Sequence, residues 1–301
     1  MSIFRRREFE FAPSFCYNQN MNIGAHVSIA GGIDQAPLYA KEAGCECFQF
    51  FSRSPRGGHA PELTEPLVKS FKDNCRKNNI LNSYIHTPYY INLASTNNRI
   101  RYGSIKVIRE ELERASILGV RYVMSHLGSA NDLTRTKAIQ KVIEGIKKIL
   151  DGYKGSALFL IENSAGSGNI IGDQFEEISE IIKGIPLSVR NKVGVCLDTC
   201  HAFASGYDLR NKKAIDKTLK EFDARIGLSK LKMIHGNDSM TEINSRVDRH
   251  EHIGMGKIGK EGFKEIINHP KLKKLDLILE TPADGRQDDI KMLKGLRSKK
   301  K

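Results

Sequence analysis

From Asn22 onward the chain alternates short apolar runs with longer amphipathic stretches, the pattern of strand–helix units around a parallel sheet. Strands are predicted at Ile23–Ser28, Cys47–Phe51, Asn82–His86, Arg121–His126, Ala157–Glu162, Val193–Asp198, Lys230–His235 and Leu275–Glu280. Between them, apolar residues recur at three- and four-residue spacing over Ser104–Leu118, Thr136–Leu150, Asp173–Ile182 and Lys213–Ile226, which predicts helices. A doubly wound sheet uses the same units, but so many repeats favour closure into a single (β/α)8 TIM barrel. No internal repeat, low-complexity tract or interdomain linker interrupts the pattern. The polar stretch from Gly236 to Lys260 is long for a strand-to-helix connection, which marks it as functional or disordered.

The predicted strands end in a consistent chemistry. His86, His126, Glu162, Asp198, His235 and Glu280 close consecutive strands at intervals of about 40 residues, at the face where barrels place catalytic groups. Any one of them could be a satisfied polar residue. Together they would crowd carboxylates and imidazoles at one barrel mouth, which is costly unless cations neutralise them. His201 follows Asp198 by one helical turn, and Asp248 with His250 forms an Asp-x-His step whose side chains share one side of an extended segment. These nine nitrogen and oxygen donors suit zinc, with manganese or iron as alternatives, because imidazole selects against magnesium and calcium. They exceed the needs of one four-coordinate ion. Two or three ions are therefore expected, with Glu162 or Glu280 able to bridge, an arrangement suited to phosphoester hydrolysis.

Composition narrows the setting. Of 301 residues, 40% are hydrophobic and 28% charged, ordinary values for a folded domain. No stretch reaches the roughly 18 consecutive apolar residues of a membrane span. The net charge of +13 points to a polyanionic partner, although the basic Arg297–Lys301 end contributes part of it. Six cysteines form no disulfide-dense pattern, and no signal peptide is recognisable, so a cytoplasmic location is expected. Cys196 and Cys200 flank Asp198 but read as core thiols rather than ligands.

The segments Gly24–Gly32 (GAHVSIAGG), Ile161–Gly168 (IENSAGSG), Leu197–Asp208 (LDTCHAFASGYD) and Val247–Gly259 (VDRHEHIGMGKIG) closely resemble endonuclease IV, the zinc-dependent abasic-site endonuclease family of base-excision repair. The similarity runs from Met21 to Arg297. It implies a barrel domain over residues 21–297, an extension over 1–20 that is disordered or a misassigned start, and a basic tail over 298–301. It also implies three zinc ions: one on His86, His126 and Glu162; one on Glu162, Asp198, His235 and Glu280; one on His201, Asp248 and His250. Glu162 and Glu280 would serve catalysis. The implied reaction cuts the phosphodiester 5′ to an abasic site in double-stranded DNA, leaving a 3′-hydroxyl and a 5′-deoxyribose phosphate, and clears blocked 3′ ends. Arg56 and Tyr89 match positions that fill the vacated base stack. A monomer is expected.

The chain departs from the family pattern after His235, where Gly236 and Met240 replace a leucine and a lysine, putting one backbone contact in doubt. Two other functions remain open: a sugar isomerase or epimerase, which needs neither the third cluster nor the basic charge, and a DNA-binding module with structural metals. Gly254, Gly256 and Gly259 spell G-x-G-x-x-G without the preceding strand of a dinucleotide site, so a flexible part of the metal loop is expected. His26 is expected at the pocket wall, His252 exposed, and His59 and His269 without companions.

Overall fold

The computed structural model describes residues 20–80, 82–131 and 133–298. The expected extension over 1–20, Asn20 apart, and the basic tail beyond Ser298 lie outside the described residues.

In chain order the elements are β1 (Asn22–His26), α1 (Ala36–Glu42), β2 (Cys47–Phe50), α2 (Glu65–Lys77), β3 (Asn82–His86), α3 (Asn98–Leu118), β4 (Tyr122–Ser125) and α4 (Arg135–Leu150). There follow β5 (Leu158–Glu162), α5 (Phe175–Gly184), α6 (Leu187–Arg190), β6 (Val193–Asp198), α7 (Thr199–Ala204), α8 (Lys212–Arg225) and β7 (Leu231–His235). The chain continues through β8 (Asp238–Ser239), β9 (His250–Glu251), α9 (Gly259–Asn268), β10 (Asp276–Leu279) and α10 (Arg286–Leu296). Strands β1 to β7 and β10 form one closed parallel barrel, sealed where β1 pairs with both β2 and β10. The single-barrel expectation therefore holds, with predicted strand ends trimmed by a residue or two. Within the long polar connection, β8 and β9 form a small antiparallel hairpin.

Local sequence explains the boundaries. Asn97 accepts the Arg99 and Ile100 amides at the start of α3, and Gly119, at φ 79°, ends that helix in the left-handed region. Asp198 both closes β6 and caps α7 by accepting the His201 amide, so a ligand candidate and a helix start are one residue.

Two apolar layers hold the barrel. The larger lies between strands and helices and includes Phe48, Phe159, Phe203, Phe222 and Phe263. The smaller fills the barrel interior with Cys47, Tyr84, Met124, Leu160, Cys196, Met233 and Ile278. Replacing one of the large outer side chains by alanine costs about 3–5 kcal/mol, transfer and cavity terms together. At the N-terminal end of the strands, Asp276 accepts hydrogen bonds from Tyr84 Oη (2.5 Å), Asn22 Nδ2 (2.7 Å) and Asn82 Nδ2 (2.7 Å). That end is closed by hydrogen bonds within the chain that converge on Asp276.

Candidate metal centre

The interior layer sets the geometry of the opposite end. Alternate strand residues share a face, so the residue two positions beyond each interior side chain also points inward, one step nearer the C-terminal rim. From Tyr84, Met124, Leu160, Cys196, Met233 and Ile278 that step leads to His86, His126, Glu162, Asp198, His235 and Glu280. From Cys47 it leads to Gln49, which is fully buried. His201 arrives on the first turn of α7, Asp248 on the loop between β8 and β9, and His250 on the first residue of β9.

All nine candidates converge. Their donor atoms fall into three groups, each within 4.8 Å: His86, His126 and Glu162; Glu162, Asp198, His235 and Glu280; and His201, Asp248 and His250. Glu162 joins two of them, with Oε2 3.0 Å from His86 Nε2 and 3.5 Å from His126 Nε2, and Oε1 2.9 Å from His235 Nδ1. His201 Nε2 lies 3.2 Å from Asp248 Oδ2, and His250 Nε2 lies 3.4 Å from Asp248 Oδ1. A cavity of about 380 Å3 opens above them, lined by His86, His126, Asp248, His250 and Glu280 among others.

The imidazole hydrogen bonds test whether cations fit. His201 Nδ1 faces the Asn163 carbonyl at 3.0 Å, and His250 Nδ1 faces the Glu280 carbonyl at 3.3 Å. A carbonyl only accepts, so each Nδ1 carries the proton and each Nε2 of the neutral ring presents a lone pair. Those two Nε2 atoms lie 3.4 Å apart. His235 repeats the pattern: Nε2 donates to Gln49 Oε1 at 2.7 Å, leaving Nδ1 against Glu162 and Glu280 oxygens at 2.9 and 3.4 Å. His86 Nδ1 likewise donates to the Thr87 carbonyl at 2.6 Å and turns Nε2 toward Glu162. Lone pair against lone pair is repulsive unless a proton or a metal ion lies between, and carbonyl-oriented imidazoles are the usual support of metal-ligating histidines. The donors thus fit borderline divalent cations.

The ionisation tendencies agree. Burial disfavours charge on His201, yet Asp198, Asp248 and Glu162 outweigh it and push its pKa up to about 10. Asp248 is drawn down to about 2 because His201 and His250 overcome its desolvation. Burial opposes ionisation of Glu162 and Glu280, but the surrounding imidazoles hold both carboxyls well below the usual range. Carboxylates and imidazoles here stabilise one another's charged forms, so positive charge is favoured among the carboxylates.

Several residues that frame the cluster escaped the sequence reading. Asn163 Oδ1 accepts the Asp198 amide at 2.7 Å, and Asn237 Nδ2 donates to Asp198 Oδ2 at 2.7 Å. Gln49 Nε2 donates to Glu280 Oε1 at 2.6 Å. A polar residue inside the apolar run CFQFF, and asparagines directly after Glu162 and Gly236, were the available signals. Gly236 has its own reason, since a Cβ there would meet Leu277 Cδ2 at 2.4 Å. Met240 is exposed.

The glycine-rich stretch is not the flexible segment expected. The buried Asp238 carboxylate accepts from the amides of Ser239, Gly254, Gly256, Ile258 and Gly259, drawing the loop around itself. A Cβ at Gly256 would lie 2.4 Å from the Ser239 carbonyl oxygen, so glycine permits the close approach. Two histidines also depart from expectation. The His252 side chain is 20% exposed and bonded to Asp289 at 2.8 Å, and His269 is buried and paired with Asp216 at 3.0 Å. Burial hides both companions from sequence, because each lies tens of residues away.

His26 lines the cavity, as expected, and meets Gln49 at 2.9 Å. His59 is exposed. Cys196 belongs to the interior layer, and Cys200 is buried with Sγ 3.5 Å from the Arg249 carbonyl, although Cys200, Asp198 and His250 also cluster closely enough to hold an ion. Tyr89 is 73% exposed on the cavity rim, its ring 5.2 Å from Phe51. Arg56 is exposed on the loop after β2 and lines neither this cavity nor its neighbour. Among the described residues, no helix is long and apolar enough to cross a membrane.

Fold and site together define a barrel of the xylose isomerase-like TIM barrel family, whose model matches residues 37–297. Within that class, a probable endonuclease 4 of Methanoculleus marisnigri is 41% identical over 89% of this chain and 94% of its own length. Endonuclease IV from Thermus thermophilus superposes with a TM-score of 0.81 at 33% identity, covering 91% of this chain and 98% of that one. The chain belongs to the endonuclease 4 family and is an enzyme of that family. A D-tagatose 3-epimerase-like protein, at TM-score 0.67 and 18% identity over 92% of this chain and 97% of its own, shares the fold alone.

Proposed function

We propose that this chain hydrolyses the phosphodiester on the 5′ side of abasic sites in double-stranded DNA, leaving a 3′-hydroxyl and a 5′-deoxyribose phosphate, and that it clears blocked 3′ ends. The observation that carries the reading is Glu162, whose two oxygens face two separate ligand groups beside a third. Family membership supports the substrate, and the net charge of +13 suits a polyanion. Three zinc ions fit the donors, with manganese or iron as alternatives. They would be held by His86, His126 and Glu162; by Glu162, Asp198, His235 and Glu280; and by His201, Asp248 and His250.

Bound there, the ions would supply a nucleophile at neutral pH and neutralise charge on the attacking and leaving oxygens. The chain's own contribution is placement. Gln49 holds Glu280 Oε1 while Asn237 Oδ1 accepts the Glu280 amide at 2.8 Å, leaving Glu280 Oε2 directed inward. Glu162 and Glu280 thereby serve as the catalytic carboxylates at the shared centre. Tyr89 offers an exposed aromatic face for the gap where a base is missing, and Arg56 offers a cation to the same duplex.

The test is incision of a duplex carrying one abasic site, resolved on a gel. Cleavage 5′ to the lesion is expected, and none from fully metallated protein contradicts the reading. Tyr89→Ala and Arg56→Ala should each weaken abasic-DNA binding by about tenfold while metal content stays constant. Normal binding by both variants removes those two roles.

A further inference from the structure

Arg286 opens α10 directly after the loop that follows Glu280. Its Nε donates to the Thr281 carbonyl at 2.9 Å, Nη2 donates to the same oxygen, and Nη1 donates to the His26 carbonyl at 2.9 Å. A guanidinium carries five N–H groups, so two are left uncommitted by these bonds. Among the described residues no carboxylate forms a salt bridge with Arg286. Other arginines of the same rim differ: Arg53 is paired with Glu110 and Glu111, and Arg135 with Asp173 and Glu177. A partly buried cation without a counter-ion is a cost that an incoming anion would relieve.

Its position says where that anion would lie. Arg286 and His26 line both the 380 Å3 cavity over the ligand ring and a second cavity of about 330 Å3 bounded by Val27, Ser28, Phe51 and Pro55. The two cavities thus meet at Arg286 and His26, and a strand with its reacting phosphate over the ring that continued into the second cavity would pass both residues.

The side chain is also braced from behind. Buried Asp289 accepts from the Ile253 amide (2.9 Å) and Thr281 Oγ1 (2.7 Å) and meets His252 Nδ1 at 2.8 Å, which locks the first turn of α10 to the metal loop. Gly285, at φ 119°, passes so close to His252 that a Cβ would lie 2.9 Å from Cε1. A guanidinium seated this way binds without first being ordered.

We infer that Arg286 binds a DNA backbone phosphate next to the reacting one, at the junction of the two cavities. This rests on the nucleic-acid reading above. Arg286→Gln and Arg286→Lys in the metallated full chain, with a duplex carrying one tetrahydrofuran abasic analogue, test it across a salt series. Arg286→Gln should raise KM and the dissociation constant by about tenfold or more, KM rising further than kcat falls. The slope of log affinity against log salt should shrink by about one. Arg286→Lys keeps the charge and should recover the salt slope. Metal content and melting temperature, measured on both variants, should match wild type.

If wild type cuts and Arg286→Gln retains its KM and salt slope, the inference is wrong. It is also wrong if Arg286→Lys binds as weakly as Arg286→Gln and both melt early, because the side chain is then only a brace. If wild type binds DNA without cutting while the salt-slope difference persists, the phosphate contact stands and the proposed reaction falls.

Discussion

The two ends of the barrel bury similar groups and treat them differently. At the N-terminal end, the Asp276 carboxylate meets three neutral donors, and Glu46 meets the Arg297 guanidinium and the Ile23 amide. At the C-terminal end, Glu162, Asp198 and Glu280 meet imidazoles whose ring orientation leaves lone pairs facing acceptors. The first arrangement gives each carboxylate donors from the chain itself and reads as stability. The second needs a proton or a cation between its facing acceptors and reads as function.

The largest expected effect breaks the second end. Glu162→Gln keeps the shape but removes the charge shared by two ligand groups. Bound ions per chain should fall, and abasic-site incision should drop by more than about 100-fold. Elemental analysis beside a gel assay reads both. Unchanged ion content would show that Glu162 is not a ligand.

At the other end, Asp276→Ala strands the donors of Tyr84, Asn22 and Asn82. A loss of about 3 kcal/mol is expected in denaturant unfolding, with metal content intact. Loss of ions from this variant would erase the distinction between the ends.

Asp238→Asn tests the loop that links hairpin and site. The amide replaces a carboxylate that gathers five backbone donors, costing about 1–3 kcal/mol. A chelator should then remove the ion proposed for His201, Asp248 and His250 sooner than those proposed to share Glu162. Equal release of all ions would make the cradle a local feature only.

The smallest effect concerns Glu46. Burial opposes its charge, but Arg297 and the Ile23 amide outweigh burial and lower its pKa from the ordinary carboxylate range to a smaller folded value. A lowered folded value means stability that is present at neutral pH and lost as pH falls through that value. Glu46→Gln should cost under about 1 kcal/mol at pH 7. The difference from wild type should vanish in acid below the ordinary carboxylate range, and a constant difference across pH would contradict this sign.

The barrel was legible because its strands carry short, mainly apolar runs, and the strand-end ligand ring because each of its six candidates ends such a run. His201, Asp248 and His250 needed the resemblance to be grouped, since α7 and the hairpin bring them in from outside the strand rhythm. Asn163, Asn237, Gln49 and Arg286 were not legible as partners, because orientation through distant carbonyls leaves no local spacing. The glycine-rich stretch misled for a related reason. Glycine marks a close approach as well as freedom, and only the position of Asp238 distinguishes the two.

The most direct test of the difference between the ends is a count of tightly bound metal per chain in the purified protein, by elemental analysis or native mass spectrometry. Three ions, one for each group at the C-terminal end, are the expected result. One ion or none in active protein would contradict it.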